Sequence, residues 1–94
     1  MKEPGTMDVQ HLRLDQPSPL KRNLAARLSY HCASRKMTKT ALSERSGIAA
    51  SHISLISRAK ANPTLLTLEH LADALGVSVI EMLTPMEGGS SAPP

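Results

Sequence analysis

Leucines at positions 20, 24 and 28 recur every fourth residue, the spacing that lines one face of an α-helix. Ser18-Pro19 stands just ahead of them, an N-cap followed by proline at the first helical position, and predicts a helix running to about Arg35. Thr38 is the next cap. It opens a second helix with Ala41 and Leu42 facing inward, and Gly47 ends that helix in the left-handed conformation glycine tolerates. A third helix carries Ile53 and Ile56 on its buried side and ends near Arg58. The following "KANP" reads as a turn, because a residue before proline avoids the helical region. Leu68, Leu71, Ala72 and Leu75, at i, i+3, i+4 and i+7, mark a fourth helix after Thr64, stopped by Gly76. Ser78 and Glu81 form a capping box, S-x-x-E, that opens a short fifth helix through about Leu83.

The two ends lack this periodicity. Residues 1–17 contain Pro4, Gly5 and Pro17 and read as an arm, in which only "VQHLRL", residues 9–14, can extend as a strand. Residues 85–94, "PMEGGSSAPP", have the composition of a disordered tail. The expected architecture is all-α, with one domain of five short helices over residues 18–84.

Composition narrows the picture further. The chain has 94 residues, with one tyrosine and no Phe or Trp, so its core must be built from Leu, Ile, Val, Met and Ala. Such a core suits packed helices better than a β-sandwich. A domain of this size is stable by only a few kcal/mol unless it associates. The lone Cys32 excludes an internal disulfide, and no pair of Cys and His has zinc-ligand spacing, so no metal or cofactor is expected. No apolar run approaches 18 residues and none at the N-terminus has signal-peptide length, which leads to the expectation of a soluble cytoplasmic protein with no membrane partner. Catalysis is not expected. No Ser/His/Asp, Cys/His or paired-carboxylate grouping falls on neighbouring faces, and the four histidines sit on separate elements.

The net charge of +3 conceals an uneven distribution. Residues 20–60 hold nine basic side chains against Glu44 alone, a net +8. Residues 1–19 hold two basic against three acidic, a net −1, and residues 61–94 hold four acidic and no basic, a net −4. A basic block beside an acidic one suggests a face for a polyanion and a separate face for other purposes. Lys21, Arg22 and Arg27 in the first helix read as solvated side chains without assigned contacts.

The second and third helices have the makings of a helix-turn-helix. Ser43, four residues before Gly47, is the small residue where the helices cross; Ile48 plugs the turn, and Ile53 and Ile56 anchor the third helix. The continuation "RAKANPTLLTLEHLADALGVSVIEML", with Asn62-Pro63-Thr64 and Ala74-Leu75-Gly76-Val77-Ser78, resembles the second half of the Cro/C1-type DNA-binding domains, the XRE family. The resemblance covers roughly residues 20–84 and implies a five-helix, lambda-repressor-like fold. Two departures stand out. Lys39 occupies a position where the family commonly has glutamine. Cys32 and Ser57 occupy positions where many members pair a buried arginine with a glutamate. Replacing both partners with small neutral groups can be nearly neutral, which leaves Cys32 as an ordinary buried core residue.

The resemblance further implies that the third helix enters the major groove of double-stranded DNA. Ala49, Ala50, Ser51, Ser54 and Leu55 then fall where relatives contact bases or sugar-phosphate, and none of them offers the bidentate hydrogen bonding of Arg, Gln or Asn. Alanine and leucine suit thymine methyls, and the serines pair with several bases. Remaining specificity is expected from Lys39, Arg58 or DNA deformability. Thr38, Lys39 and Thr40 sit at a helix N-terminus that favours phosphate. His52 lies beside the reading face, and Lys60 and Asn62 occupy positions where relatives grip the backbone. The leading expectation is a homodimeric repressor acting on a (pseudo)palindromic operator. Val79, Ile80, Met82 and Leu83 of the fifth helix are the first choice for the dimer contact, and the arm at 9–14 is the second. The competing expectation is an antitoxin or adaptor that uses the same fold to bind a protein partner.

Overall fold

Four hydroxyls set where helices begin. Ser18 Oγ accepts from the backbone N–H of Lys21 at 3.2 Å, Thr38 Oγ1 from Ala41 at 3.0 Å, Thr64 Oγ1 from Thr67 at 3.1 Å and Ser78 Oγ from Glu81 at 3.0 Å. Each satisfies one of the amide groups that a first turn leaves without an intrahelical partner. The computed structural model describes residues 12–86. Its elements are α1 (Pro19–Ser34), α2 (Lys39–Ser46), α3 (Ala50–Ser57), α4 (Leu65–Leu75) and α5 (Val79–Leu83). The fold is all-helical, with no strand among the described residues, and none of these helices is long and apolar enough to cross a membrane.

Helix ends differ from the sequence expectation in mechanism more than in place. Gly47 and Gly76 terminate α2 and α4 at φ 79 and 74, as anticipated. But α1 and α3 also stop on left-handed residues, Lys36 at φ 53 and Ala59 at φ 59. In α1, Lys36 N–H donates to Ala33 O and Met37 N–H to Cys32 O; in α3, Ala59 N–H donates to Ile56 O and Lys60 N–H to Leu55 O. These paired bonds satisfy the last carbonyls of each helix, and they offset the roughly 1 kcal/mol that a side chain costs in this conformation. The break after α3 is therefore made at Ala59, before Pro63 has any influence.

The core is the expected aliphatic one. Leu24 and Leu28 of α1, Leu42 of α2, Ile53 and Ile56 of α3, and Leu68, Leu71, Ala72 and Leu75 of α4 are all buried. α1 packs on α3 and α5, α2 on α3 and α4, and α4 on α5. Met82 completes this cluster and has no exposed surface at all, which corrects its assignment to a dimer contact. The fifth helix thus uses its largest apolar side chain within its own protomer. Val79 and Leu83 pack partly against the core, and Ile80 alone is well exposed.

Arg27 is the larger correction. It is buried, and all three of its donor groups are taken: Nη1 by Glu81 Oε2 at 2.7 Å, Nε by Thr84 O at 2.8 Å, and Nη2 by Pro85 O at 2.7 Å. One turn earlier on α1, Asn23 Nδ2 donates to Leu83 O at 2.9 Å. One turn later, buried His31 places Nε2 3.2 Å from Glu81 Oε2, while Arg35 Nη1 lies 3.1 Å from His31 Nδ1. With Arg35 donating to Nδ1, the ring hydrogen belongs on Nε2 and points at the carboxylate. Asn23, Arg27 and His31 form an i, i+4, i+8 stripe that holds α5 and the residues leaving it. The capping box is consequently half made. Ser78 caps Glu81 N–H, but the Glu81 carboxylate turns to α1 instead of back to the helix start.

At the N-terminal side, residues 12–14 form no strand, and Leu14 enters a turn; residues 9–11 of the anticipated strand lie outside the described residues. Pro85, placed in the tail by sequence, belongs to the fold through Arg27, and residues 87–94 are outside the described part.

Arg27→Ala should lower stability by about 2–3 kcal/mol, less than for a fully buried pair because Glu81 is a third exposed. Amide exchange should accelerate first at residues 79–84. Uniform acceleration, or no loss in urea melts, would refute the assignment of Arg27 as the clamp on α5.

Candidate nucleic-acid interface

The path from α2 to α3 is fixed by backbone hydrogen bonds. Gly47 N–H donates to Ser43 O at 2.8 Å, and Ile48 N–H donates to the buried Ser46 Oγ at 3.1 Å. His70 Nδ1 lies 3.3 Å from Ser46 O, tying this turn to α4. A Cβ at Gly47 would meet nothing within 4 Å, so glycine is required there for its φ of 79 and not for space. Ile48 packs against the core at half-burial, as expected of the residue that plugs the turn.

Burying Ile53 and Ile56 fixes which face of α3 remains outside. Ser51, Leu55 and Arg58 are exposed at i, i+4 and i+7, and Ala49 and Ala50 are exposed at the helix start. His52 and Ser54 flank this stripe at half-burial. No side chain caps α3 at Ala49. The outward surface is therefore short and nearly neutral along the helix, apart from Arg58 at its end.

Charge surrounds that surface. Thr38, Lys39 and Thr40 are exposed at the start of α2, with Thr38 Oγ1 already used as the cap. Thr38 and Lys39 share the walls of a cavity of about 260 Å³ with Ile53 and Ser57 of α3, so the start of α2 and the end of α3 adjoin. Lys60 and Asn62 are exposed in the turn after α3. Among the described residues Asp15 lies against Arg13, and Glu81 against Arg27 and His31, so no described carboxylate pairs with Lys39, Arg58 or Lys60. The face presents positive charge that no described carboxylate neutralises. Of the twelve side chains anticipated for this face ten are exposed, His52 and Ser54 are half-buried, and none is drawn into the core.

Cys32 lines the same cavity as Ser57, so the two positions read as a lost pair face one space. Ser57 Oγ satisfies itself by donating to Ser54 O at 2.8 Å. Cys32 is half-buried against the core instead of fully enclosed, a correction to the sequence reading. Burial pushes its thiol up from the ordinary value of 9.0, and the nearby positive charges of Lys39 and Arg35 pull the other way without reversing it.

Sequence reasoning had no local signal for the partners of Arg27, since Glu81, Thr84 and Pro85 lie more than 50 positions away. The four-residue spacing of Asn23, Arg27 and His31 was the available sign of a polar stripe beside the apolar one.

Comparison with known proteins matches residues 27–87 to the Cro/C1-type HTH DNA-binding domain. The chain is 41% identical over 51 residues to the uncharacterized HTH-type transcriptional regulator y4dJ of Sinorhizobium fredii (strain NBRC 101917 / NGR234). That match covers 54% of this chain and 66% of the relative, just under two thirds of its length. The fold is also that of a hypothetical transcription factor, NHTF, from Neisseria, with a TM-score of 0.70 at 23% identity over 84% of this chain and 93% of the other.

The raised thiol value yields a check on the cavity. Below about pH 9 the folded protein holds less thiolate at Cys32 than the unfolded chain, so alkylation by iodoacetamide should be slower in buffer than in urea. As pH rises past 9.0 the unfolded chain ionises first, and folding stability should fall. Equal alkylation rates in the two states at pH 8 would contradict the half-buried placement.

Proposed function

The chain belongs to the family of Cro/C1-type helix-turn-helix DNA-binding domains, which are transcription regulators, and on that premise we propose that it acts as a homodimeric repressor. In this reading α3 lies in the major groove and each protomer takes one half of a (pseudo)palindromic operator. The observation that carries it is the positive charge of Lys39, Arg58 and Lys60 around the exposed face of α3, which no carboxylate among the described residues neutralises.

Roles follow from chemistry and position. Ala49, Ala50 and Leu55 approach thymine methyls, while the Ser51 and Ser54 hydroxyls take base edges or sugar-phosphate oxygens. The short side chains let the α3 backbone sit deep in the groove. Thr38, Lys39 and Thr40 hold a phosphate at the start of α2, where free amides and the helix dipole favour an anion. Lys60 and Asn62 hold a second phosphate from the turn after α3, and His52 donates to a third. Phosphate contacts position the domain and methyl contacts specify the sequence. Ile80 of α5, with Val79 and Leu83 beside it, contributes to the contact between protomers.

Two measurements test this. A dimer neutralising about six to eight phosphates should lose log K against log salt with a slope of roughly −5 to −7. Lys39→Ala and Lys60→Ala should each weaken binding on every sequence and flatten the slope by about one per protomer. A slope near zero in the unmodified protein would remove DNA from the reading and favour a protein partner on this face.

The second concerns α3. Replacing contacted thymines by uracil removes only methyl groups and should cost about 0.8 kcal/mol each, or about tenfold for a symmetric pair. Selection from a random duplex pool supplies the sites at which to make the change. Unchanged affinity after uracil replacement throughout a selected site means that α3 stays away from the bases.

A further inference from the structure

Beside α5 runs a groove of about 280 Å³ whose floor is Leu24, Leu68 and Leu83. One wall is the first turn of α1, with Leu20 and Lys21, and the other is the start of α4, with Leu65. The segment ahead of α1 meets the groove at its rim, through Leu12 and Leu14. Leu12 is 71% exposed, Leu14 60% and Leu65 75%, so this apolar surface is open. Lys21 Nζ donates to Leu14 O at 2.6 Å and to Gln16 O at 2.8 Å, which holds the segment against α1 with its leucines still uncovered.

Charge decides what fits such a groove. Arg13 and Lys21 both line it, and none of its lining residues is acidic. Arg13 Nε has a loose partner in Asp15 Oδ1 at 3.6 Å, with both side chains largely exposed. An ammonium has three donors, and carbonyls take two of those on Lys21. Two copies meeting here would bring these cations together with no carboxylate from either lining between them. The groove instead suits an occupant in which apolar side chains flank a carboxylate.

We infer that the occupant is the chain's own N-terminal segment, residues 1–11, laid along the groove of the same protomer. Asp8 then meets the free donor of Lys21, and Met7 and Val9 meet the leucines of the α4 wall. The inference goes beyond the DNA reading and does not rest on it. Its first support is continuity. Leu12 already stands on the rim, so extended chain carries Val9 about 10 Å and Met7 about 16 Å from there, distances on the scale of a helix diameter. The second is pattern. In an extended segment successive side chains point to opposite sides, so Asp8 faces one wall while Met7 and Val9 face the other. The third is charge. Between Pro4 and Gln10, Asp8 is the one charged side chain, opposite in sign to the groove. Tethering strengthens all three. A segment joined to its site by a few residues is present there at an effective concentration near millimolar, so weak contacts hold it, and any other molecule must displace it.

Methyl NOE spectra of the full chain test the inference. Cross-peaks should join the Met7 and Val9 methyls to those of Leu65 and Leu68. They should be missing from an isotope-filtered spectrum of mixed labelled and unlabelled chains, which records only contacts between copies. Asp8→Lys should weaken the cross-peaks to Leu65 about two- to fivefold, the scale of a solvent-facing ion pair. Asp8 precedes α1, so this variant keeps its fold, as thermal melting will verify. Leu65→Glu should remove the Val9 contact to Leu68. Leu66→Glu is the control. It is 62% exposed but lines the recess by Ser46 and His70, and it should leave every cross-peak in place. A wild type without these cross-peaks would overturn the inference, and so would full-strength cross-peaks in Asp8→Lys. Cross-peaks in the filtered spectrum would give the groove to a second copy and overturn it as well.

Discussion

The burial of Arg27 constrains this fold more than any single apolar contact. α5 is five residues long, well below the length at which a helix holds itself together in water. Its last carbonyls have no helical partners, and a proline follows closely. A guanidinium directed at Glu81, Thr84 O and Pro85 O answers these needs together. A buried cation is unfavourable unless every donor is paired, so the arrangement tolerates only one register of α5 against α1. That register places Met82 into the core between α1 and α4, and it leaves Ile80 outside. What α5 leaves exposed follows from the same three hydrogen bonds.

Much of this was legible in the sequence, for reasons that are local. Ser18, Thr38, Thr64 and Ser78 cap because a hydroxyl before a helix can reach the amide three residues on, whatever the rest of the chain does. Leu24, Leu28, Leu68, Leu71 and Leu75 are buried because their spacing leaves one face to bury. The features missed are those whose cause is distant. Arg27 looks solvated in any window that omits residues 81–85. Glu81 three residues after Ser78 fits a capping box until a guanidinium and an imidazole compete for its carboxylate. Met82 and Ile80 are both apolar on a short helix, and only the packed partner decides which is covered. Lys36 and Ala59 adopt left-handed φ although neither is glycine, since tertiary packing of α1 and α3 outweighs a cost of about 1 kcal/mol. The candidate interface was readable in a narrower sense. Spacing fixes that Ser51, Leu55 and Arg58 share the side opposite Ile53 and Ile56, but that Lys39, Arg58 and Lys60 have no acidic partner among the described residues required the structure.

On the homodimer reading, the chemistry of α3 bears on why two protomers would be needed. Specific sites are commonly bound about 4–10 kcal/mol more tightly than random DNA. A bidentate contact from Arg, Gln or Asn supplies about 1–3 kcal/mol of that, and this helix has none among Ala49, Ala50, Ser51, Ser54 and Leu55. Methyl contacts of about 0.8 kcal/mol each, three to a protomer, give one domain little more than 2 kcal/mol of discrimination on the proposed reading. A single copy would sit on most sequences nearly equally, held by its lysines. Two copies would double the methyl contacts and bring the total into the range of a specific site. They add a second criterion that no side chain reads directly, the distance and phase between half-sites. With weak readout per helix, that spacing carries an unusual share of the selectivity, and it is only as sharp as the protomer contact is rigid. A contact built on one isoleucine of a five-residue helix would let the two reading helices swing. On the homodimer reading, it is the clamp of Arg27 on α5 that holds Ile80, and with it a contact between protomers, in place.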